Sequence, residues 1–190
     1  VPFPDVTIIR AALDACVLFP ATLRDTLLGA AFDGLFIPSW SAEALDEMTR
    51  NLVADGRATP EKAARTVSAM RRSFPAAEVA APSIPGDLPG IPADDRHIAA
   101  AAVVAGTQFL VTSNLQHFPA ETLAPFNVLP VSPDTFLSML YRQAPAGMAI
   151  VVAMQQAKLR NPPLSMDAVL QMLAITSPGF VELVRTRLLR

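Results

Sequence analysis

The chain has one cysteine, Cys16, in 190 residues. That excludes an internal disulfide and a cysteine-rich zinc site. Charge is also scarce, with 17% Asp, Glu, Lys and Arg against 52% apolar residues, which excludes a disordered chain. The apolar residues are dispersed, and no uninterrupted run approaches the ~20 that a membrane helix needs. The start, Val1-Pro2-Phe3-Pro4, shows no basic region followed by an apolar run. No signal peptide is therefore expected, and a cytoplasmic location fits best. Several catalytic signatures are missing too. There is no GxGxxG after a strand, no P-loop, no GxSxG and no HExxH. His97 and His117 are 20 residues apart and lack zinc-motif spacing.

What remains is a chain long enough for one main domain with a real core. Its net charge of −2 is unevenly spread. Val1 to Leu140 holds 9 basic and 15 acidic residues, whereas Tyr141 to Arg190 holds 6 basic and 2 acidic. The body is acidic and the tail basic. Carboxylates in excess on a charge-poor body suit a divalent metal site, although most of them belong to a solvated surface.

Apolar patterning alternates strands with helices. Ile8 to Leu13, Phe36 to Pro38, Glu78 to Ala81 (weakly), Phe109 to Thr112 and Asn127 to Val131 read as strands. Leu23 to Phe32, Ser41 to about Ala54, Pro60 to about Ser73, Asp94 to Gly106 and Pro133 to Tyr141 read as helices. Ser41 is a fitting helix cap, and Gly34 and Gly56 are fitting stops. Pro82, Pro85, Gly86, Pro89, Gly90 and Pro92 mark a loop. The alternation indicates an α/β fold with a mainly parallel central sheet. After Pro145 only helices are expected, broken at Asn161-Pro162-Pro163 and with Ser165 as a cap. The expected division is a main domain over 1–143 and a helical extension over 144–190.

In such sheets ligands bind beyond the carboxyl ends of the strands. Asp14 directly follows the first strand and should face that crevice, unless it only caps a turn. Glu43 and Glu47 share a helix face, and Glu47 lies nearer the core side marked by Leu45 and Met48. A carboxylate there costs desolvation unless it is paired or metal-bound. Glu43 is a favourable first-turn acid and reads as structural. Asp94 and Asp95 open a helix, where one would serve as a cap and the second is surplus. Thr112, Ser113 and Asn114 follow a strand and can hydrogen-bond a carboxylate, or simply form a turn. His97 reads as a surface or helix-packing residue.

Four segments, Leu13-Asp14-Ala15-Cys16-Val17-Leu18, Ser41-x-x-x-Leu45-x-Glu47, Asp94-Asp95-Arg96-His97-Ile98 and Leu110-Val111-Thr112-Ser113-Asn114-Leu115-x-x-Phe118-Pro119, occur in the order seen in PIN domains. The arrangement resembles VapC-type toxins of bacterial toxin–antitoxin pairs, over roughly Ile8 to Leu140. The basic tail resembles an extension found in one PIN subgroup.

The resemblance implies a three-layer fold and a Mg²⁺- or Mn²⁺-dependent endoribonuclease. It places the catalytic and metal-holding acids at Asp14, Glu47 and Asp95, supported by Thr112, Asn114, Asp94 and His117. It also implies RNA as substrate, with a cognate antitoxin protein and a second copy of the chain as possible partners; the lack of a long apolar run makes a membrane unexpected. Cys16 stands where the family often has Asn, and His117 where it often has an acid. Because Phe118 and Pro119 look like packing residues, His117 is expected to turn away, leaving a three-acid site. Arg96 and the tail residues Lys158, Arg160, Arg185 and Arg187 are candidate phosphate contacts. The rival reading keeps the fold but makes the chain a non-catalytic RNA- or protein-binding module. A phosphoacceptor reading of Asp14 lacks the acid pair and lysine that such a site needs.

Overall fold

The computed structural model describes residues 8–80, 88–160 and 162–188. Strands β1 (Arg10–Leu13), β2 (Ile37–Ser41), β3 (Glu78–Val79), β4 (Phe109–Val111) and β5 (Leu129–Val131) form one sheet. Their order is β3-β2-β1-β4-β5, and every neighbouring pair is parallel. The expected α/β architecture is therefore present. Four of the five strands, β1, β3, β4 and β5, are shorter than the segments expected for them. β5 cannot begin at Asn127, because that residue sits at φ 58° in the left-handed region and closes a turn. β2 extends further than expected, to Ser41, and includes the buried Trp40. Of the expected loop prolines and glycines, Pro82, Pro85 and Gly86 lie outside the described residues, as does Ala81.

The helices are α1 (Ala15–Leu18), α2 (Ala21–Phe32), α3 (Ala42–Ala54), α4 (Pro60–Ser73), α5 (Arg96–Val104), α6 (Ala120–Leu123), α7 (Pro133–Gln143), α8 (Pro145–Lys158), α9 (Met166–Ala174) and α10 (Pro178–Leu188). Hydroxyl caps start four of them. Ser41, Thr59, Ser132 and Ser165 each accept from a backbone N–H three residues on. Among the described residues no single helix is long and apolar enough to cross a membrane.

Successive strand residues point to opposite faces, so the sheet is sandwiched. Ala11 and Leu13 of β1 join Trp40, Val111 and Val131 in the larger core, covered by α1 to α4 and α7 to α10. Ala12 and Leu110 face the smaller core under α5 with Ile98, Phe118 and Leu123. The alanines of α5 are buried, and their small side chains let that helix lie close on β1 and β2. The C-terminal helices bury Val152, Val169, Leu173 and Phe180 in the same core as the central strands.

Candidate active site

The strand order fixes where a crevice can open. β2 and β3 extend the sheet to one side of β1, and β4 and β5 extend it to the other. The connections leaving β1 and β4 therefore diverge, and the switch point lies beyond their carboxyl ends. Asp14 follows β1 and Thr112 follows β4, so both stand at that point. The Asp14 N–H donates to the Val111 carbonyl at 3.1 Å, which ties the two strand ends together.

Asp14 is 4% exposed. It occupies the N-cap position of α1, yet its side chain makes no cap bond, which removes the plain capping explanation. Instead Oδ2 accepts from the Thr112 hydroxyl at 2.7 Å and from the Cys16 thiol at 3.1 Å. Thr112 in turn accepts from the Asn114 backbone N–H at 2.9 Å, and the Ser113 N–H reaches the Cys16 sulfur at 3.2 Å. The hydroxyl role expected for Thr112 is realised, whereas Asn114 contributes through its backbone. Cys16, read only as a departure from the family pattern, is part of the network. Burial first, and then the Asp14 charge, push its thiol up to about 12. It is therefore a neutral donor to the carboxylate.

Glu47 lies on α3, half-buried beside the buried Leu45 and Met48. Burial, and next the negative charge of Asp14, raise its carboxyl above the usual range; Asp95 adds to the rise, while His97 and Arg50 oppose it. The three carboxylates therefore share one electrostatic environment although Asp14, Glu47 and Asp95 are far apart in sequence. Among the described residues, no three His, Cys, Asp or Glu side chains are placed closely enough to enclose an ion.

Asp94 and Asp95 fall in a short 3-10 turn, Ala93–Asp95, ahead of α5 rather than inside it. Asp95 holds the N-cap position of α5 without a side-chain cap bond, and Asp94 is exposed. The expectation that one of them caps the helix does not hold. Asp95 Oδ2 instead lies 2.9 Å from Nδ1 of His117. The expectation that His117 turns away is also corrected. Phe118 is indeed buried, and its anchoring sets the preceding 3-10 turn, Leu115–His117, against the start of α5. His97 packs inward, with Nδ1 2.7 Å from the Ser41 hydroxyl that also caps α3. Its position two residues after Asp95 was the available sign that it borders the site.

The basic candidates are dispersed. Arg96 donates to the Ile91 carbonyl at 3.4 Å. Lys158 lines a groove of about 570 Å³ between α2, α4 and α8, which none of the three carboxylates lines. Arg160 donates to the Ala157 carbonyl at 3.1 Å, and Arg185 pairs with Asp167 at 2.9 Å.

Residues 133–186 match the family described as VapC50 C-terminal domain. The chain is 35% identical over 92 residues to a Mycobacterium tuberculosis protein named "Putative ribonuclease VapC50". That stretch covers 48% of this chain and 54% of the relative, so the match spans about half of the relative's length. No solved structure matches the chain. The chain is thus similar to VapC50-type proteins in two stretches, and its five-stranded parallel sheet agrees with the fold that the resemblance implies.

Proposed function

We propose that the chain is a metal-dependent endoribonuclease, the toxin of a toxin–antitoxin pair, with Asp14, Glu47 and Asp95 as its catalytic acids. The observation that carries this reading is the state of Asp14. A buried carboxylate is fixed at the sheet's switch point by two donors on one oxygen, and its charge and that of Asp95 both bear on Glu47. Uncompensated, that concentration of negative charge is costly. Oxygen donors of this kind suit Mg²⁺ or Mn²⁺, so the donor chemistry fits such an ion, and Asp14, Glu47 and Asp95 would hold it after side-chain adjustment. When bound, the ion would supply Lewis acidity to the phosphodiester and acidify a bound water.

The chain's own contribution is orientation. Thr112 and Cys16 both donate to Oδ2 of Asp14, which fixes the carboxylate. Ser41 links the α3 cap to His97, which lowers the cost of an ionised Glu47. His117 engages Asp95, and a cation held by that carboxylate would have to compete with it. RNA as substrate, an antitoxin and a second copy of the chain as partners belong to the same reading.

One observation favours the rival. The His117–Asp95 pair engages one of the three acids, as expected of a catalytically weakened RNA- or protein-binding module. Cleavage of a mixed RNA pool with Mg²⁺, with Mn²⁺ and with a chelator separates the two. Cleavage that needs the cation supports the nuclease. RNA retained uncut under every condition supports the binding module.

A further inference from the structure

The candidate phosphate contacts of the tail are separated from the acids, which leaves open how RNA would reach them. Helix α4 offers a different surface. It carries Lys62, Arg65, Arg71 and Arg72 against one acid, Glu61, and so holds four of the nine basic residues before Tyr141. It buries Ala63, Val67 and Met70. At ~100° per residue, Lys62, Arg65 and Arg72 fall within about 80° of one another on the opposite side. All three are exposed. They form a single row roughly 15 Å long.

The row has a direction. Arg71 makes two bonds to Glu78, at 2.7 and 3.1 Å, and feels the charge of Asp46, the residue before Glu47. The last turn of α4 therefore lies beside the turn of α3 that bears Glu47. Exposed Arg50 lies within reach of the Glu47 charge and adds a further cation beside that acid. Arg71 is used structurally. By contrast, the side chains of Lys62, Arg65 and Arg72 make no hydrogen bond or ion pair among the described residues, so their charges are available to an outside partner. The row has no aromatic side chain, so it could follow a backbone but could not stack bases.

We propose that the outer face of α4 binds the phosphate backbone of single-stranded RNA and leads the strand to Asp14, Glu47 and Asp95. This rests on the ribonuclease reading and adds the surface that holds the substrate. One row of cations matches one backbone, and its affinity should be steeply salt-dependent and tolerant of sequence.

The test uses the full chain carrying Asp14→Asn, so that binding is measured without cleavage. The probe is a fluorescein-labelled oligouridine of about 15 nucleotides, followed by anisotropy across a salt series. Adding Lys62→Gln, Arg65→Gln and Arg72→Gln should weaken binding at least tenfold at ~0.1 M salt. It should also flatten the log–log salt slope by about 2, at ~0.7 per lost phosphate contact. Lys158→Gln with Arg160→Gln should change neither. An unaltered thermal melt confirms that the exposed substitutions leave the fold intact. Equal affinity and slope in parent and triple variant would overturn the proposal, as would a loss confined to the Lys158/Arg160 pair. If the triple variant lost only binding to an acidic peptide and kept RNA, the row would be a protein contact and the proposal wrong. Failure of the parent to bind RNA at all, together with no cleavage by wild type, would instead remove the ribonuclease reading itself.

Discussion

Nδ1 of His117 lies 2.9 Å from Oδ2 of Asp95, and so the two sites of the fourth and third motifs meet across 22 residues of chain. The contact is partly exposed, with the side chains 38% and 22% accessible. Its loss should therefore cost no more than about 1 kcal/mol. His117→Ala should lower the melting temperature by ~2–4 °C at most. His117→Asp should lower it comparably without divalent ion and restore it when Mg²⁺ is added, because a second carboxylate beside Asp95 needs a cation. Melting curves with and without Mg²⁺ check this, and an Asp variant indifferent to Mg²⁺ would argue against a metal role for Asp95.

Glu47 gives a pH dependence. Its carboxyl is raised in the folded chain by burial and then by Asp14, from an ordinary value of 4.5. The unfolded chain therefore ionises first as pH rises. Stability is lost as pH passes from 4.5 up through the folded value, and the penalty persists at neutral pH. Glu47→Gln should raise the neutral-pH melting temperature slightly, by about 1–2 °C after solvent screening, and leave it unchanged below about pH 4. Calorimetry at both pH values reads the difference, and a gain that persisted in acid would exclude relief of charge as its cause.

Thr112 is fully buried and serves as donor to Asp14 and acceptor from Asn114. Thr112→Val keeps the shape but leaves a buried carboxylate oxygen and an N–H short of a partner. The expected cost is about 1–3 kcal/mol in urea unfolding, most of it recovered by Thr112→Ser. A silent Thr112→Val would mean that water replaces the hydroxyl.

The Cys16 thiol, pushed up to about 12 from 9.0, is protonated at neutral pH. Ellman's reagent should react with native protein at pH 8 more than tenfold slower than with unfolded protein. Between pH 9 and 12 the unfolded thiol ionises first, so stability falls with rising pH across that window. Fast native labelling would show that the thiol is not held as a donor to Asp14.

The positions of Asp14 and Thr112 at strand ends, of Asp95 at a helix start and of Glu47 on the core side of α3 were legible, because apolar periodicity marks strands and helix faces and capping residues mark helix starts. Ser41 and Gly56 bounded α3 as expected, and Pro60 opened α4. Contacts set by tertiary packing were not legible. His117 meets Asp95 because buried Phe118 anchors its turn, and no local pattern encodes that distance. The four-residue α1 escaped notice because Ala15 to Leu18 is too short and too uniformly apolar to show a period. The tail is basic by chain position, but its cations are dispersed in the fold. The α4 row emerges only when cations are placed on helix faces.

The most direct test of metal-dependent cleavage by these acids is one RNA-cleavage time course comparing wild type with Asp14→Asn, in Mn²⁺ and in excess chelator. Asn can still accept from Thr112 and Cys16, so the variant should keep its fold, as its melting curve would show, while losing the charge. The expected result is cleavage by wild type in Mn²⁺ alone, and none by Asp14→Asn in either condition. Equal cleavage by both proteins, or cleavage by wild type undiminished by chelator, would contradict it.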